Sequence, residues 1–259
     1  MKLSSDSIYN HLNNKNLTVE CYDVISSTNT VLKDRGRSGA PHGLIIAAAE
    51  QTAGRGRMGR SFFSPANTGI YFSVLLRPAL LPQYCQLITT AAAVACARVL
   101  EKVADEPAQI KWVNDIYINN KKVCGILTEA SFKPNGALDF AVLGIGINIT
   151  TPKDNFPNDI KNKAGSLLSH CSDDIRGKMI GEILNEFFAL YDTLEDRSYF
   201  EEYRSRSHLD GKEIEVIRND SLLLPAKALY IDNELRLVVQ YPDGMIEHLY
   251  TGDVSIKKL

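Results

Sequence analysis

The stretch Ala53-Gly54-Arg55-Gly56-Arg57-Met58-Gly59-Arg60-Ser61 has the G-x-G-x-x-G spacing of a dinucleotide-binding turn at Gly54, Gly56 and Gly59. That fingerprint works when its glycines follow a strand and open a helix, because the helix N-terminus then offers bare N–H groups to a pyrophosphate. Leu44 to Ala49 reads as the strand, but Gly59 is followed by Arg-Ser-Phe-Phe-Ser-Pro-Ala-Asn-Thr-Gly, turn chemistry with Pro65 where a helix would run. An acidic residue is also expected about twenty positions on to hold a ribose, and the chain has Leu75, Leu76 and Arg77 there. A doubly wound dinucleotide fold is therefore excluded. What remains is a pliable loop with Arg55, Arg57 and Arg60, cations that repel one another unless an anion sits among them.

Bulk properties narrow the anion. The 259 residues carry a net charge of −2, so no general basic surface draws nucleic acid. The five cysteines are odd in number, widely spaced and without C-x-x-C, which argues for reduced thiols in a cytoplasmic protein rather than a disulfide framework or zinc site. The N-terminus lacks an apolar signal core, and the most apolar run, near Leu87 to Leu100, is broken by Thr89, Thr90 and Arg98. Neither export nor a membrane span is expected.

Patterning predicts strands over Leu17–Val24, Leu44–Ala49 and Ile70–Leu76, a helix from the Ser26-Ser27-Thr28-Asn29 cap to Lys33, and a long helix over Gln83–Val103. Further strands follow over Gln109–Val113, Asp115–Ile118, Val123–Ala130 and Phe140–Ile149, the middle pair joined by an Asn119-Asn120 turn. These predict an α+β fold, a mixed and mostly antiparallel sheet with helices on one side. Thr150–Lys163, rich in Pro, Asn, Asp and Lys, reads as a mobile loop without apolar anchors. Helices over Arg176–Leu194 and Tyr199–Ser207 precede short strands at Glu213–Ile217, Leu222–Tyr230, Leu235–Gln240 and Ile246–Tyr250, the pattern of a small separate β-barrel. The expected division is 1–208 and 209–259.

Four segments besides the arginine loop carry chemistry-bearing residues, and each alone has a plain structural reading. Ser27-Thr28-Asn29 suits a helix cap. Lys111-Trp112-Val113-Asn114-Asp115 suits a strand entering a turn, with Trp112 in the core. Lys122-Val-Cys-Gly125-Ile126 suits a hairpin with its lysine in water. Gly144-Ile-Gly146-Ile-Asn148 suits a strand thinned by glycine, where a ligand or backbone approaches closely.

In order, S-T-N, Q-x-x-G-R-G-R-x-G-R from Gln51, K-W-x-N-D, K-x-x-G-I and G-I-G-I-N make the chain from about Ser26 onward resemble the biotin protein ligases. That resemblance implies the biotin and lipoate ligase catalytic fold, like that of class II aminoacyl-tRNA synthetases, with a C-terminal Src-homology-3-like barrel. It also implies an enzyme that activates biotin with ATP and Mg²⁺ and attaches it to a biotin carboxyl carrier protein or domain. Ser27, Thr28, Asn29 and Gln51 are implied to meet the ureido ring and body of biotin, with Gly54 and Arg55 closing over it. Arg57, Arg60 and Lys122 are implied to attend the carboxylate and phosphate. Asn114 and Asp115 are implied at the nucleotide and its metal, Asn148 at the phosphate region and Lys257 at the ATP phosphates, with Lys111, Trp112, Gly125, Gly144 and Gly146 among the binding residues. Lys122, Arg57 and Asp115 form the implied catalytic set.

The pattern has departures. Val113 stands where proline is usual, Met58 where arginine is common, and Lys257 where arginine is frequent, keeping the charge without the planar fork. Many relatives carry an N-terminal helix-turn-helix domain, and the residues before Ser26 lead to the expectation of a form without it. A homodimer is compatible with the resemblance. The rival readings are a lipoate or octanoate ligase or transferase, which shares the fold, and a noncatalytic sensor of biotinyl-adenylate.

Overall fold

The computed structural model describes residues 3–78, 85–172, 174–218, 222–250 and 253–256. A short helix that sequence patterning did not predict, α1 (Ser5–Tyr9), is set by a capping box between Ser4 and Ser7. Then come β1 (Thr18–Ile25), α2 (Thr28–Arg37), β2 (Leu44–Gln51), β3 (Gly69–Leu76), α3 (Cys85–Ala104), β4 (Gln109–Lys111), β5 (Asp115–Ile118), β6 (Lys121–Phe132) and β7 (Leu138–Asn148). Helices α4 (Ile175–Tyr191) and α5 (Phe200–Ser205) lead into β8 (Glu213–Arg218), β9 (Leu222–Ile231), β10 (Leu237–Gln240), β11 (Ile246–Leu249) and β12 (Asp253–Ile256).

Strands β1 to β7 form one sheet in the order β1-β2-β3-β7-β6-β5-β4, with β1 and β2 parallel and every other pair antiparallel. Strands β8 to β12 form an antiparallel five-stranded sheet, order β11-β10-β9-β8-β12. Asn119 and Asn120 both take positive φ, 49° and 58°, the left-handed pair that a tight hairpin turn requires. The Trp112–Val113 peptide is cis.

Helices cover both faces of the large sheet, not one. The cause is legible in β2, whose unbroken run Leu44-Ile-Ile-Ala-Ala-Ala has no polar face to leave in water. Ile45 and Ala47 join the main core under α3 and α4, whereas Leu44 and Ile46 pack with Leu32 of α2, Leu75, Phe140 and Val142 on the other face. Along that second face β7 tapers, reading Phe140, Val142, Gly144, Gly146 at alternate positions. Where the large side chains end and the glycines begin, α2 closes in on the strand, its Asn29 amide lying over Gly144. That end of the sheet is the floor of the site.

Candidate active site

Register sets the floor. Ser73 of β3, Gly144 of β7 and Leu127 of β6 form one cross-strand row, and Tyr71, Gly146 and Gly125 the next. Side chains occupy the room the two β7 glycines leave. A Cβ at Gly144 would lie 2.0 Å from Asn29 Oδ1, and one at Gly146 would lie 2.5 Å from the Phe62 ring. Ser27 caps α2, accepting from Thr30 N–H, and brings Thr28 and Asn29 over this floor. Gln51 Oε1 accepts from the Thr28 backbone N–H at 2.9 Å and sits 3.1 Å from Thr28 Oγ1, while Gln51 Nε2 donates to Ser64 Oγ at 2.9 Å.

Above the floor the arginine segment folds into a small hairpin. Phe62 N–H donates to Gly54 O, Gly56 N–H to Arg60 O, and Arg60 N–H to Arg57 O, with Arg55 and Ser61 bridged. Left-handed φ at Met58 (52°) and Gly59 (73°) turns the chain back. No extended helix follows, as Pro65 and its neighbours predict. Within this structure the arginines are already matched: Arg55 pairs with Glu129 Oε1 at 3.3 Å, and Arg57 donates to Asn114 Oδ1 at 3.0 Å.

On the far wall, Lys122 Nζ lies 2.7 Å from Asp115 Oδ1, an ion pair whose direction does not satisfy that buried oxygen as a hydrogen bond. The segment after β7 closes this wall. Lys122 N–H donates to Lys163 O at 2.9 Å, Gly165 N–H donates to Lys122 O at 2.9 Å, and Asn148 Nδ2 donates to Gly165 O at 3.1 Å. The reading of 150–163 as lacking apolar anchors is corrected: Phe156 is 4% exposed and its ring meets Phe63 at 6.1 Å. One phenylalanine among ten polar residues suffices once the backbone on both sides has partners.

The cavity so enclosed has a volume of about 480 Å³, within the range of small-molecule sites. Its lining brings together Ser27, Thr28, Asn29, Gln51, Arg55, Arg57 and Arg60 from one side of the fold, and Lys111, Asn114, Asp115, Lys122, Gly125, Gly144, Gly146 and Asn148 from the other. Two expected residues fall elsewhere. Gly54 is buried behind the hairpin, where a Cβ would lie 2.3 Å from Phe62 O. Trp112 is 3% exposed in the main core and spends its indole N–H on Leu235 O at 2.9 Å, so it is no ligand-stacking group here. Lys257 lies outside the described residues.

Sequence reasoning missed Phe62, Tyr117, Ile160 and Lys163, all on the lining, and Ile217 and Val254, which reach it from the second sheet. The Phe62-Phe63 pair, one serine after the last arginine, was a usable signal; the contribution of the second sheet had none. Tyr117 stacks on the buried His208 ring at 4.6 Å. Among the described residues no group of three or more His, Cys, Asp or Glu is placed to hold a metal, and no helix is long and apolar enough to cross a membrane.

Residues 21–148 match the biotin/lipoate A/B protein ligase family. The bifunctional ligase/repressor BirA of Bacillus spizizenii is 35% identical over 243 residues, covering 90% of this chain and 72% of that protein. The biotin–(acetyl-CoA-carboxylase) ligase of Mycobacterium tuberculosis is 33% identical over 236 residues, covering 88% of this chain and 85% of its own. Biotin protein ligase from Aquifex aeolicus, solved in complex with biotin and ATP, shares the fold with a TM-score of 0.72 at 24% identity, over 93% of this chain and 99% of that one. With identity above 30% across more than two thirds of both partners, this chain belongs to the biotin/lipoate A/B protein ligase family, among its biotin protein ligases.

Proposed function

We propose that the chain is an ATP-dependent biotin protein ligase, which joins biotin to ATP as biotinyl-5′-AMP and then passes the biotinyl group to a lysine of a biotin carboxyl carrier protein or domain. The observation that carries this reading is that Arg57 and Lys122, far apart in sequence, line one cavity. The first step brings a carboxylate oxygen against an α-phosphate, and at roughly 3 Å with an effective dielectric near 20 their repulsion is about 5 kcal/mol. Cations must offset it. Lys122 supplies a compact charge able to touch both oxygens, and Arg57 a planar fork suited to phosphate. The carboxylate oxygen bonds to phosphorus, pyrophosphate leaves, and the charge that builds on phosphorus is met by groups already in place.

Ser27, Thr28, Asn29 and Gln51 are assigned to the polar ring of biotin, Arg55 to the closing hairpin, and Lys111, Asn114 and Asn148 to the nucleotide side. The mixed anhydride is open to hydrolysis, so the hairpin excludes water while it exists. In the second step the carrier amine attacks the acyl carbon and AMP leaves. Near neutral pH that amine, with an ordinary pKa near 10.4, arrives protonated. Asp115, a carboxylate on the cavity wall beside Lys122, is assigned to take the proton.

The Asp115 carboxylate, lining the cavity, suits magnesium, which binds through one or two carboxylates and the substrate's phosphates. Asp115 would hold the ion; Asn114 could join only by exchanging its Arg57 contact. Bound there, magnesium would shield phosphate charge.

The reading also takes 1–208 as the catalytic unit and 209–259 as a small Src-homology-3-like barrel, supported by the short antiparallel strands of the second sheet. A cytoplasmic setting, where ATP and carrier are found together, suits five unpaired cysteines. Incubation with biotin, Mg-ATP and the host's carrier domain, followed by mass spectrometry, tests the proposal. Gain of one biotinyl group is expected; an unmodified carrier, or one modified by lipoate instead, refutes it.

A further inference from the structure

Glu129 of β6 belongs to none of the five motifs and does not line the cavity, yet its carboxylate touches both the lid and the floor. Oε1 accepts from Lys33 Nζ at 2.8 Å and from Arg55 at 3.3 Å, and Oε2 accepts from Asn29 Nδ2 at 3.0 Å. Only 15% of its side chain is exposed. Burial alone would raise its pKa, but hydrogen bonds from Lys33 and Asn29, with the charges of Lys33 and Arg55, hold the carboxyl below its usual range. It is an anion built into the fold.

That anion also helps set the direction of the floor. A carboxylate only accepts, as does the Leu127 carbonyl, which takes the other Nδ2 hydrogen at 3.3 Å; together they make Asn29 present Nδ2 to them and turn Oδ1 to Ser73 Oγ, 2.6 Å away. Ser73 Oγ meets Thr28 Oγ1 at 2.7 Å, and Thr28 Oγ1 meets Gln51 Oε1 at 3.1 Å. Gln51 is fixed in turn, because the Thr28 backbone N–H points at its oxygen. Acceptors therefore stand at both ends of a chain whose two hydroxyl protons serve three oxygen–oxygen contacts. One contact always lacks a proton, so the Thr28 hydroxyl can point to either Ser73 or Gln51.

The geometry points to Glu129 as a positioning residue: the chain's own counter-anion, which holds the arginine hairpin over the cavity before substrate arrives and, with the Leu127 carbonyl, fixes which way the floor's amide faces. Two cations share this one carboxylate, so the corner keeps a net positive charge and Arg55 remains attractive to a substrate anion. Without the carboxylate, Lys33 and Arg55 repel each other and the hairpin loosens. The identity of the ligand rests on the ligase reading above; the holding of the hairpin does not.

Glu129→Gln preserves shape and removes the charge. In ligand-free protein, tryptic cleavage after Arg55, Arg57 and Arg60 is expected to quicken about tenfold, and in the full reaction KM for biotin to rise about three- to tenfold with kcat changed less than about twofold. Glu129→Asp should recover part of both effects. Lys33→Met, which leaves the whole carboxylate to Arg55, should cleave no faster than the wild type, whereas a merely structural corner would loosen with either change. Wild-type cleavage and KM in Glu129→Gln, or equal loosening in Lys33→Met, overturns the inference. If Glu129→Gln does not fold, the contrast between Glu129→Asp, faster, and Lys33→Met, not faster, decides the same point. Cleavage is scored without ligand, so a wild-type enzyme releasing no pyrophosphate with biotin would refute the ligase reading and leave this result standing.

Discussion

A lysine beside an aspartate is ordinary on a protein surface and worth little there. Lys122 differs because its partner oxygen is buried and its backbone is held on both sides by 163–165, so the ammonium is aimed before any substrate enters. Lys122→Ala is expected to cut biotin-dependent pyrophosphate release by at least about 10²-fold, the usual scale for losing one preorganised group at a developing charge; near-normal release would remove Lys122 from the chemistry. Gly144 is the counterpart on the floor. Gly144→Ala drives a methyl group against Asn29 Oδ1, since a Cβ there would lie 2.0 Å from it. A loss of about 1–3 kcal/mol is expected from such overpacking, measurable by urea unfolding, with a raised KM for biotin. An unchanged midpoint and KM would show that the amide moves aside freely.

At the scale of elements, the arginine hairpin joins a basic lid to a polar floor. Residues 55–60 are expected to be cut by protease without ligand and protected by biotin plus ATP, because substrate oxygens add counter-anions to those the protein supplies; equal rates in both states would count against closure. The segment after β7 makes a second lid, hung on Phe156. A buried phenylalanine is worth about 3 kcal/mol or more relative to alanine, which exceeds what a few loop hydrogen bonds return. Phe156→Ala should therefore speed amide exchange at Lys122 and Gly165 by at least about tenfold, and unchanged protection would place the anchor elsewhere. The elements themselves were largely legible. Each of the five motifs falls at a strand or helix end, where turn residues and alternation mark boundaries. The arginine loop read as loop because Pro65 forbids the helix. What the sequence left open was facing: Glu129, in a β6 stretch with no motif, gains its role from cross-strand register and from α2 lying overhead.

Across the whole molecule, the large sheet and the C-terminal sheet share one continuous core, with Trp112, Ile214, Ala228 and Leu237 among its members. His208 stands at this junction, 2% exposed, against Tyr117 and 2.8 Å from Gln109 Oε1. Burial, then the charges of Lys212 and Lys111, lower its pKa from 6.5 to about 4. As pH falls, the unfolded chain takes this proton first, so the stability contributed by the neutral ring is whole above about pH 6.5, erodes between 6.5 and 4, and is absent below. A loss on the order of 3 kcal/mol across that window is expected in urea midpoints, and His208→Gln should flatten the slope there. A slope of the same size in the variant would assign it to other groups. No feature of the sequence marked His208, a single histidine between two helical and strand patterns, because its importance comes from the two sheets meeting on it.

The central claim is that two distant cations are gathered so that a carboxylate and a phosphate can be brought into contact. A crystal structure with biotin and an unreactive ATP analogue tests it most directly. Lys122 Nζ is expected within hydrogen-bond reach of both the biotin carboxylate and an α-phosphate oxygen, with Arg57 on the same phosphate. Ligands seated with Arg57 and Lys122 in separate pockets would contradict it.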